Sequence, residues 1–266
     1  MSKIYLSLLL TTKRGIEELK PLFEITDDNT ELIVSDSNYN EKTKEWLSKQ
    51  TGYEKIIYIP LINSPYTYQR DFVRGLNTAI LNAENGWLIR ADDNLEFKED
   101  FFKTAREDIE SFKDVSYNEK FAIVGQKLWG VLNHVKWNDY YSPSEPSRYI
   151  NVTNPAFTFS FGLYPIDLIY NLNGYDERYD LGWGVEDSQF LHRSLVAGYK
   201  VFYDRYLMAY SHAHKPKQDS ISTTQMMYHF EIPEINSGKI RAYNPYNFVQ
   251  LHQNTLASRD KYIIKK

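Results

Sequence analysis

The sequence predicts an α/β fold: a Rossmann-like, mostly parallel central sheet flanked by helices, with a smaller subregion beside it. Three observations predict it. Short apolar runs alternate with segments of helical period through the first third of the chain. Three strand ends carry acids or threonines, and 266 residues with 42% hydrophobic side chains can bury the core that such a sheet needs. In open sheets of this kind ligands sit beyond the carboxyl ends of the strands, so those polar ends are the first candidates for chemistry.

Taken in order, residues 4–10 read as a buried first strand. The run follows a single lysine, gives way to polar Thr11 and Thr12, is too short to cross a bilayer and lacks a small-residue cleavage site. Residues 16–26 read as a helix, 31–35 as a strand, 41–50 as a helix, 55–59 as a strand, 68–83 as a helix and 86–90 as a strand that ends in acids. The useful strand ends are Thr11 with Thr12, Asp36, and Asp92 with Asp93. Asp36 can accept from a base N–H or a ribose hydroxyl, although Asp-Ser-Asn is also ordinary turn chemistry. Two acids at a strand end can anchor a hard divalent cation and accept from a ribose. Such triplets also build plain loops.

Composition narrows the classes. A net charge of −4 carries no nucleic-acid footprint, and no apolar run reaches membrane length. With no cysteine, disulfides and thiolate metal sites are excluded, so any metal must use oxygen or imidazole. Twenty-two tyrosines and five tryptophans suit carbohydrate contacts, though most such rings serve as core or surface.

Beyond residue 110 the pattern loosens. Residues 121–125 read as a strand and 129–135 as a second, while 138–155, rich in Tyr, Ser, Asn and Pro, read as a binding loop or lid. Residues 200–203 and 206–210 read as two strands. The segment 231–266 reads as a C-terminal extension whose residues 248–262 form a helix packing on the domain or on another subunit. No repeat, low-complexity tract or linker divides the chain, which reads as one domain over 1–230 followed by that extension.

One stretch organises the rest: Gly174-Tyr-Asp-Glu-Arg-Tyr-Asp-Leu-Gly182-Trp183-Gly184-Val185-Glu186-Asp187, followed by a helix to Gly198 that includes Arg193. Glycines on both sides let the Trp183 ring present a face, and Glu186 and Asp187 fall at a partly positive helix N-terminus. A ring beside two acids is what a sugar site requires, because pyranose faces pack on rings and hydroxyls donate to carboxylates. The same residues also suit a plain structural role, as electrostatic caps and a core tryptophan.

Asn173-Gly-Tyr-Asp-Glu through Gly-Trp-Gly-Val-Glu-Asp to Arg193 resembles the "NGF(D/P)…GWGGED…R" segment of the animal β-galactosyltransferases and the bacterial chondroitin-synthase-type polymerases, with Val185 in place of the third glycine. Arg90-Ala-Asp92-Asp93-Asn94 resembles the acidic DXD signature of nucleotide-sugar transferases of the GT-A fold, with Asn94 where the third acid usually stands. Tyr68 to Asn77 resembles a helix of glycosyltransferase family 2 that brings an arginine, here Arg70, toward the nucleotide; Asp71 replaces its usual asparagine. The resemblance covers roughly residues 1–220 and is specific between Gly162 and His214.

The resemblance implies an inverting, metal-dependent glycosyltransferase of polysaccharide biosynthesis. It would move a sugar from a nucleotide-sugar donor, a UDP-sugar first, to a hydroxyl of a glycan acceptor with a β-linkage. Residues 1–110 would form the nucleotide-sugar half and 111–230 the acceptor half. Thr11, Asp36, Arg70 and Asp92 would bind the nucleotide. Asp93 and His212, with His214 as the second choice, would bind Mn²⁺ or Mg²⁺; Trp183, Gly184 and Glu186 the acceptor; and Asp187 would be the general base. Lys215 and Lys217 could offset diphosphate charge or lie in a solvated loop.

No nucleic acid and no integral membrane segment are expected, and the animal enzymes' membrane anchor is not matched. That implies a cytoplasmic location, or a peripheral one at a membrane where acceptor glycans are assembled, with a homo-oligomer through the C-terminal extension as a further expectation. Sugar nucleotidyltransferases share the sheet but show a glycine-rich loop after the first strand, where this chain has only Gly15. The alternative is a non-catalytic glycan-binding module or an inactive paralogue. Asp93, Glu186, Asp187 and His212 together favour catalysis, because a lectin needs the platform but not the metal anchor.

Overall fold

A computed structural model describes residues 3–12, 15–61, 71–113, 120–129, 148–154, 161–181, 184–211 and 223–265. Its strands are β1 (Leu6–Thr12), β2 (Asp27–Asp36), β3 (Tyr53–Pro60), β4 (Trp87–Asp92), β5 (Leu95–Phe97), β6 (Phe121–Trp129), β7 (Tyr149–Val152), β8 (Gly162–Pro165), β9 (Lys200–Ser211) and β10 (Ile263–Lys265). The helices are α1 (Ile16–Leu19), α2 (Glu41–Ser48), α3 (Phe72–Leu81), α4 (Phe101–Lys113), α5 (Ile166–Leu172), α6 (Glu186–Val196), α7 (Thr223–Asn236) and α8 (Phe248–Leu256).

The strands form one sheet in the order β10-β3-β2-β1-β4-β8-β6-β9-β5, with β7 on β9. β3, β2, β1 and β4 are parallel neighbours, and β8 lies antiparallel between β4 and β6. Since β6 is again parallel to β9, the main strands share one direction and the ends of β1, β2, β4, β6 and β9 lie on one edge. Alternation along β1 builds both faces: Leu6, Leu8 and Leu10 enter one core with α4, and Leu9 enters the other with α3, α5, α6 and α8.

The alternating elements of the first third are present, with physical corrections. The helix expected over 16–26 stops at Leu19 and continues as a 3₁₀ turn over Lys20–Phe23, because Pro21 removes a backbone donor. Of the helix expected over 68–83, residues 68–70 lie outside the described residues. The two strands expected over 200–203 and 206–210 are one strand: its register against β6 jumps where Gly125 faces Asp204 and Gln126 faces Met208, so the intervening residues bulge without ending the pairing. Residues 149–152, expected as loop, pair with β9, and of the strand expected over 129–135 only Trp129, the end of β6, is described. The helix α7 was not anticipated, since its apolar residues surround the axis and it contains Pro233. Residues 248–262 split into α8 and a 3₁₀ turn over Arg259–Tyr262.

The C-terminal residues are bolted to the amino edge of the sheet. β10 pairs with β3, and buried Arg259 donates to Glu31 Oε2 at 3.3 Å and to the Asn82 carbonyl at 2.7 Å and pairs with Glu84. Glu31 is fully buried and also accepts from Ser7 Oγ at 2.5 Å and from the Glu84 amide at 2.7 Å.

A second buried charge cluster pins β7. Arg148 donates to Asp108 Oδ1 at 2.6 Å and to Asp204 Oδ2 at 2.9 Å, and the Tyr149 hydroxyl donates to Asp108 at 2.9 Å. Burial, reinforced by the neighbouring Asp204 carboxylate, raises Asp108 to about 8, against the pull of Arg148. An acid raised above its unfolded value gives stability that is full below the unfolded pKa and is lost as pH climbs through about 8. Asp108→Asn, which keeps an acceptor and never ionises, is therefore expected to raise Tm relative to wild type at pH 8.5 and to match it within about 2 °C at pH 4. Thermal unfolding at the two pH values checks this; a variant equally destabilised at both would sink it.

Candidate active site

The strand-end residues converge on the carboxyl edge. Thr11 faces Asp92 in the β1–β4 register, and Thr12 faces Asp36 in the β1–β2 register. Thr12 Oγ1 donates to Asp93 Oδ2 at 2.9 Å, fixing one oxygen of that buried carboxylate. Thr11 Oγ1 accepts from Ser35 Oγ at 3.3 Å, which turns its hydroxyl toward β2. Asp36 is buried and accepts from the Tyr58 hydroxyl at 2.7 Å and from the Asn38 amide at 2.8 Å. The second of these bonds is the turn chemistry its sequence also allowed, and the carboxylate is held rigidly at the strand end.

Asp92 forms an ion pair with Lys127 of β6. Asn94 Nδ2 donates to Ser211 Oγ at 3.1 Å, and Leu95 pairs with Ser211, so the last residue of β9 lies beside the Asp-Asp-Asn triplet. His212 follows Ser211 directly in sequence and lies outside the described residues, as do Arg70, Trp183 and His214. Among the described residues no cluster of three or more His, Asp or Glu side chains could hold a metal. Asp93 is a carboxylate of the right hardness for Mn²⁺ or Mg²⁺, and it stands next to the chain that leads into His212.

The helix α6 carries the other two acids. Gly184 has φ +74 with open space where a side chain would lie, and Val185, the N-cap, takes φ 63 without a side-chain cap bond. A β-branched residue in the left-handed region costs on the order of 1–3 kcal/mol, so the missing third glycine is tolerated at the price of strain where the two acids begin. Glu186 and Asp187 both turn toward Arg90 of β4: Asp187 forms an ion pair with its Nη1, and Glu186 Oε1 lies 3.6 Å from its Nη2. Burial pushes Asp187 above the ordinary aspartate value and the Arg90 charge opposes that shift, with Asp92 and Lys127 close enough to contribute. Arg90 stays charged because Asp187, Tyr175, Glu186 and Asp92 outweigh its own desolvation.

Several residues of the organising stretch are structural. Asp180 caps α3 from a distance, accepting from the amides of Val73 at 2.7 Å and Arg74 at 2.9 Å, and burial raises it to about 7. Asn77 of α3 holds the Tyr175 backbone through bonds of 2.8 and 2.9 Å. Gly174, at φ +79, has no room for a side chain because a Cβ would come within 2.5 Å of Phe248. Arg193 is buried among carbonyls, donating to those of Leu172 at 2.9 Å and Gly174 and Ile240 at 3.2 Å, and desolvation lowers it to about 10. It locks the turn that precedes the acids.

Arg90, Lys127 and Asp180 are the residues that sequence reasoning did not assign. For Arg90 a signal existed: a charge inside an otherwise apolar strand must find a partner once buried.

The mostly parallel sheet with polar strand ends on one edge, and an acid-bearing helix turned toward that edge, has the GT-A fold. Residues 166–230 match the family model described as the N-terminal domain of galactosyltransferase. Solved structures agree on the fold. Staphylococcus aureus TarS in complex with UDP-GlcNAc superposes with TM-score 0.63 at 12% identity, covering 96% of this chain and 72% of that one. GalNAc-T7 with UDP, GalNAc and Mn²⁺ gives 0.64 at 11%, covering 87% and 48%. The mannosyltransferase PcManGT from Pyrobaculum calidifontis with GDP-Man and Mn²⁺ gives 0.57 at 13%, covering 97% and 76%. Against a longer TarS chain the match has TM-score 0.59 at 15% identity and covers 79% of this chain, which spans only 37% of that protein's length. No curated protein matches the sequence. Among the described residues no helix is long and apolar enough to cross a membrane.

Proposed function

We propose that the protein transfers a sugar from a UDP-sugar to a hydroxyl of a glycan acceptor with inversion at the anomeric carbon, so that an α-linked donor gives a β-linked product. The observation that carries this reading is the approach of Asp187, at the start of α6, to Asp92, the last residue of β4, with Arg90 paired to Glu186 and Asp187 and Lys127 paired to Asp92. Thr11, Asp36, Arg70 and Asp92 are assigned to the nucleotide, with Lys127 positioned to balance Asp92. Trp183, Gly184 and Glu186 are assigned to the acceptor sugar, and Asp187 takes the proton from the attacking hydroxyl. With one base and no covalent nucleophile in this assignment, displacement is direct.

Asp93 and His212 would hold Mn²⁺ or Mg²⁺, which supplies positive charge against the diphosphate when bound. The single-acid anchor agrees with Asn94 in the third position. Calorimetry of UDP with and without Mn²⁺ tests the donor half: Mn²⁺ is expected to tighten UDP binding about tenfold or more in the wild type and to have no effect in Asp93→Ala or His212→Ala. Metal-dependent binding that survives both substitutions would defeat the assignment.

A further inference from the structure

We propose that Arg90 is a positioning residue of this site, holding Glu186 and Asp187 at the angle from which they meet the acceptor; the inference rests on the assignment of Asp187 as base. Four observations carry it. Arg90 is 1% exposed, so its guanidinium has no solvated alternative position. Its plane is confined by the Phe72 ring at 5.4 Å and the Tyr175 ring at 5.2 Å, and Nη1 donates to the Tyr175 hydroxyl at 3.4 Å. Separate nitrogens of the fork address separate acids, Nη1 toward Asp187 and Nη2 toward Glu186. Finally, α6 begins at Glu186 directly after Val185, an N-cap in the left-handed conformation with no side-chain cap bond, so the first turn that carries the two acids starts from a strained residue.

The consequence is a rigid link between two halves of the site. Arg90 lies two residues before Asp92 on β4, so the strand whose end bears the nucleotide and metal acids also sets the orientation of the acceptor acids. A displacement of either end alters the other. A lysine in this place would keep the charge but has one ammonium on a flexible stem, which can serve one acid at a time. A misplacement of about 1 Å in a reacting group can cost on the order of 100-fold in rate.

The test uses the full chain with Arg90→Lys, Arg90→Met and Asp187→Asn beside the wild type. UDP release is followed with the UDP-sugar and acceptor best used by the wild type, and UDP affinity is measured by calorimetry. Arg90→Lys is expected to lower kcat about 100-fold while donor KM and UDP affinity stay within about threefold, with Arg90→Met at least as impaired. If Arg90→Met does not fold, Arg90→Lys, which retains the cation, still decides the matter. Near wild-type kcat in Arg90→Lys alongside an inactive Asp187→Asn overturns the positioning role and leaves the base intact. Active Asp187→Asn overturns the base assignment beneath it, as does a wild type with no turnover across a panel of UDP-sugars and acceptors. A loss of UDP affinity instead of kcat places Arg90 on the donor and overturns the proposal as well.

Discussion

Asp187→Asn is expected to lower kcat by at least about 100-fold, equivalent to about 2.7 kcal/mol of transition-state stabilisation, while UDP affinity and the melting temperature change little. An alcohol is a weak nucleophile at neutral pH, and a carboxylate within reach of its proton supplies an advantage that an amide cannot. Asparagine preserves the shape and can still accept from Arg90, and Glu186, 3.6 Å from Arg90 Nη2, remains as its countercharge, so the fold is retained. The pH profile carries the sign of the environment: kcat requires the ionised form and falls as pH drops through the pKa of Asp187. Burial moves that acid limb above the ordinary aspartate range, with Arg90 limiting the shift. Single-turnover and steady-state assays of the two proteins decide the role. Turnover near that of the wild type, or a product shown by NMR to keep the donor's anomeric configuration, would remove Asp187 from the chemistry.

The largest expected effect on stability lies at the opposite edge of the sheet. Arg259→Ala should cost about 3–5 kcal/mol, because it strips the closest cation from Glu31, a carboxylate with no exposed side-chain surface, and leaves the Asn82 carbonyl without that donor. Lys55, at 3.8 Å from Glu31, is the charge that remains. The loss is read from the midpoint of urea unfolding at constant m-value, and a change below about 1 kcal/mol would mean that the C-terminal residues are not anchored through this pair. UDP affinity should stay within about twofold. Ser7 and Asn85, which share Glu31, lie toward the amino ends of β1 and β4, a strand's length from Asp92 and Asp93.

The residue pattern alone carried the alternating strands and helices of the sheet and the polar residues at its strand ends. The apolar run through Leu8, Leu9 and Leu10, the helix-period segments between such runs, and acids placed directly after a strand are local signals, set by side-chain period and by which residues tolerate a strand end. The organising stretch was equally legible, since glycines, a ring and two acids lie consecutively in the chain. Nothing local announced that β8 would slip antiparallel between β4 and β6, that β9 would bulge and continue, or that Asp180 would cap a helix more than a hundred residues earlier. Arg90 shows the limit most sharply. Its sequence position says that a buried cation needs an acid; only the packing of α6 on β4 says that two acids answer it, Glu186 and Asp187, and that they meet the strand ending in Asp92. Periodicity and turn chemistry are written between near neighbours, whereas the partner of a buried charge is chosen by the desolvation cost of every arrangement that leaves it unpaired, a quantity that exists only once distant elements have been brought together.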